Sequence, residues 1–194
     1  MQRKVLGLLF AVLFLVMTGF SILFPVEPYY VQTFGATSAT MGWLMASFSL
    51  AQFVFSPLWG RLSDRIGRKP VMMVGLAGYG ISMVLFALGR TVPHLFIART
   101  LAGILSSATL PTAMAVIADT TTQEERAKGM GLLGAAFGLG AIFGPFIGGV
   151  LGDIAIRLPF FTTATLSFVT LLFVWRMLPE TLQSEHRASE RVRI

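Results

Sequence analysis

The chain has no cysteine, so neither a disulfide framework nor a thiolate site is available to it. Histidine is almost as scarce. His94 and His186 are the pair it has, and neither H-E-x-x-H nor G-x-S-x-G occurs, which argues against a membrane enzyme. Charge is thin as well. Asp, Glu, Lys and Arg make up 12% of the 194 residues, where a soluble domain carries about a quarter. What fills the space is apolar: 55% of residues are hydrophobic and the mean hydropathy is +0.76. The net charge of +6 does not imply a nucleic-acid surface. The basic residues sit between long apolar runs, which is a pattern of membrane topology.

Stretches free of Asp, Glu, Lys and Arg run over Val5–Val26, Pro28–Gly60, Pro70–Gly89, Thr100–Ala118, Gly129–Gly152 and Leu158–Trp175. About 20 apolar residues cross the hydrocarbon core as a helix, and an apolar solvent forces backbone groups to pair within their own segment. Six helical spans are therefore expected, near 5–30, 41–59, 70–89, 94–118, 128–151 and 158–178. "QTFGATSAT" (Gln32–Thr40) supplies the turn and capping residues of the loop before span 2. The basic start "MQRKVLGLLFAVLFLV" reads as a first span and not a cleaved leader, because its apolar body is long and five spans follow.

Lys and Arg set the orientation. Arg3 and Lys4, then Arg61, Arg65, Arg68 and Lys69, then Arg126 and Lys128, then Arg187, Arg191 and Arg193 fall on one side. The opposite loops hold only Arg90 and Arg157. The positive-inside rule then puts both termini in the cytoplasm.

The densest charge lies in "GRLSDRIGRKP" (Gly60–Pro70), read as a short cytoplasmic turn between spans 2 and 3. Gly60 and Gly67 allow tight backbone geometry and close helix approach, and Pro70 suits the first turn of span 3. The basic residues alone are accounted for by a topological anchor; Asp64 and the spaced glycines are not. This stretch resembles the G-x-L-x-D-R-x-G-R-[KR] signature of the major facilitator superfamily, with Gly60, Asp64, Arg65, Gly67 and Arg68 matching. The resemblance implies a cytoplasmic latch and makes Asp119, at the end of span 4, a partner for Arg65 or Arg68. "EERAKGMG" (Glu124–Gly131) resembles a pseudo-repeat of the same loop.

In span 5, Gly140, Gly144, Gly148 and Gly152 recur every four residues and offer one smooth face to another helix, with Pro145 to bend it. "GAIFGPFIGG" (Gly140–Gly149) resembles the G-x-x-x-G-P-x-x-G-G signature of the drug/proton antiporters of that superfamily. The resemblance implies proton-coupled efflux of multidrug or tetracycline type, with the proton gradient as energy source and no bound cofactor or metal.

Two charges fall inside spans. Arg99 either snorkels to the outer interface or faces a cavity with a partner. "LFIARTLAG" (Leu95–Gly103) resembles the family's L-x-x-x-R-x-x-x-G, whose Arg is implicated in proton coupling; Ala102 stands where the family has Gln. Glu27, in "FPVEPYY", is either an outer-loop carboxylate in water or the partner of Arg99, since spans 1 and 4 are neighbours in the family fold. Burial favours its protonated form and a guanidinium its ionised one, so the balance is not legible here.

Seventeen Phe and ten Met suit bulky lipophilic substrates, often cations, because such side chains repack around many shapes. Gln52 and Ser106 are the polar residues expected to face the pathway. The fold class is thus an all-α transmembrane six-helix bundle over 1–180, with a charged cytoplasmic tail over 181–194. It would be the N-terminal half of the major facilitator fold, built from two three-helix inverted repeats that leave no visible sequence repeat. Expected partners are the lipid bilayer of a bacterial inner membrane, a small lipophilic substrate, and a second six-helix half or a second copy. Two alternatives stand: a half-protein inactive without another chain, and a facilitator for sugar or metabolite uptake.

Overall fold

A computed structural model describes residues 2–182, excluding the side chains of residues 2–5, 123–126 and 128. The charged tail therefore lies outside the described residues beyond Leu182, as do all the charged side chains of "EERAKGMG". The described chain is helical throughout: α1 (Gln2–Ile22), α2 (Glu27–Gln32), α3 (Ser38–Ile66), α4 (Arg68–Ala87), α5 (Val92–Ser106), α6 (Thr109–Thr120), α7 (Gln123–Ile154) and α8 (Leu158–Met177).

These eight helices make the six expected spans. Among the described residues, five are long and apolar enough to cross a membrane: Ser38–Ile66, Arg68–Ala87, Val92–Thr120, Gly129–Ile154 and Leu158–Met177. Span 1 differs from a single helix over 5–30. α1 ends at Ile22, and the chain breaks before α2. Pro25 and Pro28 cause this, because neither supplies a backbone donor. Span 4 also breaks, at Ser107–Ala108. The carbonyl of Ile104 near the break accepts from Trp59 Nε1 (2.6 Å) and Ser107 Oγ (2.7 Å). A helix interrupted at membrane depth needs such substitutes for its lost ladder bonds.

The charged turn is shorter than expected. α3 runs on to Ile66, so the turn is Gly67 alone, with φ 118°. Polar side chains end the apolar span without ending the helix, since Arg, Leu and Ser are acceptable helix residues. Gly60 therefore makes no turn, and a Cβ there would meet nothing within 4 Å.

Span 1 packs along α7 and α8, α3 packs along span 4, and α4 lies between span 4 and α8. Exchanging spans 1, 2 and 3 with spans 4, 5 and 6 leaves this set of main neighbours unchanged. Consecutive spans alternate in direction, so the two triplets have opposite orientation, as an inverted repeat requires. Hydroxyls tie the layers: Thr163 Oγ1 donates to Gly19 O (2.9 Å), Ser167 Oγ to Leu76 O (2.8 Å), and Tyr30 Oη to Ala87 O (2.9 Å). The outer faces of α3 and α7 are apolar and exposed, with Phe53 at 79% and Phe146 at 72%. Such patches do not belong in water.

Candidate functional site

Glu27 opens α2 directly after the break in span 1, and α5 carries Arg99 toward it. Arg99 Nη2 lies 2.9 Å from Glu27 Oε2, and the two side chains are 2% and 1% exposed. Neither alternative that keeps one of them wet holds: Glu27 is not in an outer loop facing water, and Arg99 does not snorkel. The contact is close enough for an ion pair but off the line of a hydrogen bond. Both carboxylate oxygens and Arg99 Nε thus lack a hydrogen-bond partner. Arg99 Cζ stands 4.5 Å from the centre of the Phe48 ring, and Nη2 is 3.6 Å from Met45 Sδ. A guanidinium over a ring gains roughly 0.5–2 kcal/mol, the more so when desolvated. Phe48 and Met45 were not nominated by the sequence. They lie about 50 residues from Arg99, and only the packing of α3 on span 4 brings them there.

A cavity of about 190 Å³ lies between spans 1, 2, 3, 4 and 5, lined by Phe20, Phe48, Gln52, Tyr79, Ser106 and Phe137 among others. Both expected pathway residues, Gln52 and Ser106, are on its wall. No charged side chain lines it. Phe48 belongs to two places at once, since its ring walls the cavity and underlies Arg99. Tyr79, on α4, also lines the cavity and was missed by sequence reasoning, because nothing distinguishes it from a core tyrosine there.

At the other end, Arg68 gathers the charged turn. Its guanidinium pairs with Asp64, donates from Nε to Asp119 Oδ2 (3.1 Å), and reaches Ser63 Oγ (2.8 Å). Of the two basic residues expected near Asp119, Arg68 is the one placed in contact with it; Arg65 sits exposed on the last turn of α3. Glu180 completes the cluster. Its Oε1 accepts from the Arg68 N–H (2.9 Å) and its Oε2 from the Lys69 N–H (3.3 Å). A carboxylate at the first N–H groups of α4 satisfies orphan donors and meets the positive end of the helix. This clasp joins α3, α4, α6 and the exit of α8. Glu180 was not nominated by the sequence, since its partners lie over 100 residues away.

The glycine face of span 5 meets span 1 backbone to backbone. A Cβ on Gly140 would lie 2.8 Å from Thr18 N, one on Gly144 2.9 Å from Thr18 O, and one on Gly148 2.1 Å from Ile22 O. Gly152 faces the Val26 side chain instead, with a Cβ 2.9 Å from its Cγ2. Gly149 is off this face and its Cβ would meet nothing within 4 Å; Pro145 is inside the helix. Gly103 repeats the device on span 4, where a Cβ would lie 2.5 Å from Phe48 O.

A sequence model described as the Major Facilitator Superfamily matches residues 9–193. Multidrug resistance protein 2 of Bacillus subtilis (strain 168) is 33% identical over 186 residues, which is 96% of this chain and 46% of that protein. The class B tetracycline resistance protein of Escherichia coli is 39% identical over 177 residues, 90% of this chain and 44% of that one. Among solved structures, the human organic anion transporter MFSD10 superposes with a TM-score of 0.86 at 28% identity, covering 96% of this chain and 50% of that chain. The chain thus spans about half the length of the relatives it matches.

Proposed function

The chain belongs to the major facilitator superfamily, and from that premise we propose that it is one six-helix half of a proton-coupled exporter of lipophilic compounds. It carries the proton-binding step and this half's share of the substrate pathway. The observation that carries the reading is the buried Glu27–Arg99 pair beside an uncharged cavity, with Phe48 in contact with both.

Two charges in a dry interior hold each other, and neither Glu27 oxygen nor Arg99 Nε has a hydrogen-bond partner. Protonation of Glu27 removes one charge and leaves Arg99 without its counterion, which costs several kcal/mol in low dielectric. The bundle escapes that cost by rearranging, so proton occupancy and conformation are linked. The smooth α1–α7 contact is where spans slide or rock, since side chains do not interlock there. The Arg68 clasp fixes the basic end, which the positive-inside rule assigns to the cytoplasm along with both termini. Phe, Met and Leu around the cavity accept bulky lipophilic substrates without a dedicated shape. The multidrug and tetracycline names of the relatives agree with this class.

The exposed apolar faces of α3 and α7 meet lipid and a second six-helix body, either a separate half or a second copy. The test is substrate-triggered collapse of a proton gradient in everted membrane vesicles with insertion verified. One preparation contains this chain alone; the other also produces the C-terminal half of the tetracycline relative. Collapse on adding tetracycline or tetraphenylphosphonium in either preparation, abolished by Glu27→Gln, is the expected result. An intact gradient in both would defeat the proposal.

A further inference from the structure

Most buried hydroxyls in this bundle find carbonyls, those of Thr18 and Ser106 being exceptions. Ser82 donates to Gly78 O, Thr112 to Ala108 O, Thr163 to Gly19 O, and Ser167 to Leu76 O. Tyr30 closes the end of α4 in the same way. Tyr79 does not. Its residue is 5% exposed, its hydroxyl is buried, and that hydroxyl has no hydrogen-bond partner. A buried unpaired hydroxyl costs about 1–3 kcal/mol, and phenylalanine would remove that cost at equal shape. The hydroxyl therefore has no structural use in this conformation.

Its surroundings suggest one. The Tyr79 residue lines the cavity. It shares one buried cluster with Val26, Phe48 and Ala98, which adjoin Glu27 and Arg99. The Glu27 carboxylate has two oxygens with no hydrogen bond. A donor without an acceptor and an acceptor without a donor thus share one buried region, with the cavity behind the tyrosine. Arg99 of α5 is the charge that acts on Glu27, Tyr79 of α4 is the other titratable group there, and Arg157 acts on Tyr30. Phe48 fills the remaining side, between the cavity and Arg99.

We propose that Tyr79 is the positioning residue that links cavity occupancy to the proton on Glu27. A bulky lipophilic occupant presses on Phe48 and on the Tyr79 ring, and the Tyr79 hydroxyl then donates to the Glu27 carboxylate. A hydrogen bond to the ionised form favours it, so the fraction of Glu27 that holds a proton before binding gives it up to water as the occupant binds. Tyr79 keeps its own proton. The balance is at most one proton released for one occupant bound. This rests on the reading of Glu27 as the proton carrier.

The test uses the full chain in detergent micelles at low buffer strength, with tetraphenylphosphonium as the probe. Binding is followed by calorimetry and proton release by a pH indicator dye. In the unsubstituted chain the probe binds and releases protons. Tyr79→Phe keeps the ring on the cavity wall and should release few or no protons per probe bound, since the charge-assisted hydrogen bond that shifts the proton's binding constant about tenfold is gone. It should also melt at or above the unsubstituted temperature, which separates this role from a structural one. Equal release from Tyr79→Phe overturns the proposal and leaves the proton role of Glu27 standing. Binding without release from the unsubstituted chain overturns the role of Glu27, and this proposal with it. Absence of binding removes the cavity as a ligand site and overturns both.

Discussion

Consider Gly148→Ala against its neighbour Gly149→Ala. The substitutions add the same methyl group, one residue apart on one helix. At Gly149 the new Cβ meets nothing within 4 Å, whereas at Gly148 it lands 2.1 Å from the Ile22 carbonyl oxygen. Ordinary contact begins near 3.4 Å, so α1 and α7 must part there by 3.4 − 2.1 = 1.3 Å. The obstacle is backbone, which has no rotamer to escape into. Gly140 and Gly144 also meet α1 at under 3.0 Å, so the opening spreads along the seam. A radial gap of about 1 Å forfeits up to half of a dispersion contact. Overpacking costs roughly 1–3 kcal/mol, offset by up to ~1 kcal/mol of helix propensity gained from alanine. We predict Gly148→Ala to be about 2 kcal/mol less stable and Gly149→Ala to be neutral or slightly more stable. For a chain of this size, 1 kcal/mol moves the midpoint by about 2–4 °C. Thermal unfolding in detergent, followed by size-exclusion fluorescence, should therefore separate the pair by about 4–8 °C. If Gly148→Ala melts with Gly149→Ala, the backbone seam is not a real constraint and the reasoning fails.

Three further outcomes are expected. Gly144→Leu should insert normally yet abolish proton-gradient collapse in everted vesicles, and transport at the unsubstituted rate would contradict the role given to the seam. Gly67→Ala places a Cβ at φ 118°, a cost of about 1–3 kcal/mol, read as an earlier melt with no change in insertion. Arg68→Gln should loosen the basic end; faster hydrogen exchange at the start of α4 and the end of α6 is the expected signature, and unchanged exchange there would mean that Arg68, Asp64 and Asp119 do not hold these helices together.

The spans were legible because charge-free runs long enough to cross a bilayer have few other uses. Their breaks were less so. Pro25 and Pro28 announce the interruption of span 1, but nothing local marks Ser107–Ala108, where tertiary partners such as Trp59 make the break tolerable. Glu27 and Arg99 stood out as charges in apolar surroundings, and their pairing needed the fold. Met45, Phe48, Tyr79 and Glu180 were invisible for one reason: each is an ordinary residue given a special neighbour from a distant span. The glycine face of α7 was readable from spacing, whereas the separation of Gly149 from Gly148 was readable only from the partner's backbone. Gly60 misled, since a glycine beside charges suggests a turn and here the helix continues through it.

The exchange of neighbours between the two triplets has a consequence for biosynthesis. Spans 1 to 3 share little with one another beyond the turn at Gly67; their main contacts are with spans 4, 5 and 6. As the chain leaves the ribosome, the first three helices enter the bilayer with no surface to pack on. They wait there as separate rods, held by lipid and by the insertion machinery. Span 2 finds its groove only when span 4 arrives, and span 1 only when spans 5 and 6 do. A nascent chain stalled after span 3 should therefore be fully inserted and wholly unfolded, a substrate for membrane proteases. Spans 2 and 3 would then pack on span 4 first, and spans 5 and 6 would close the bundle around span 1 last.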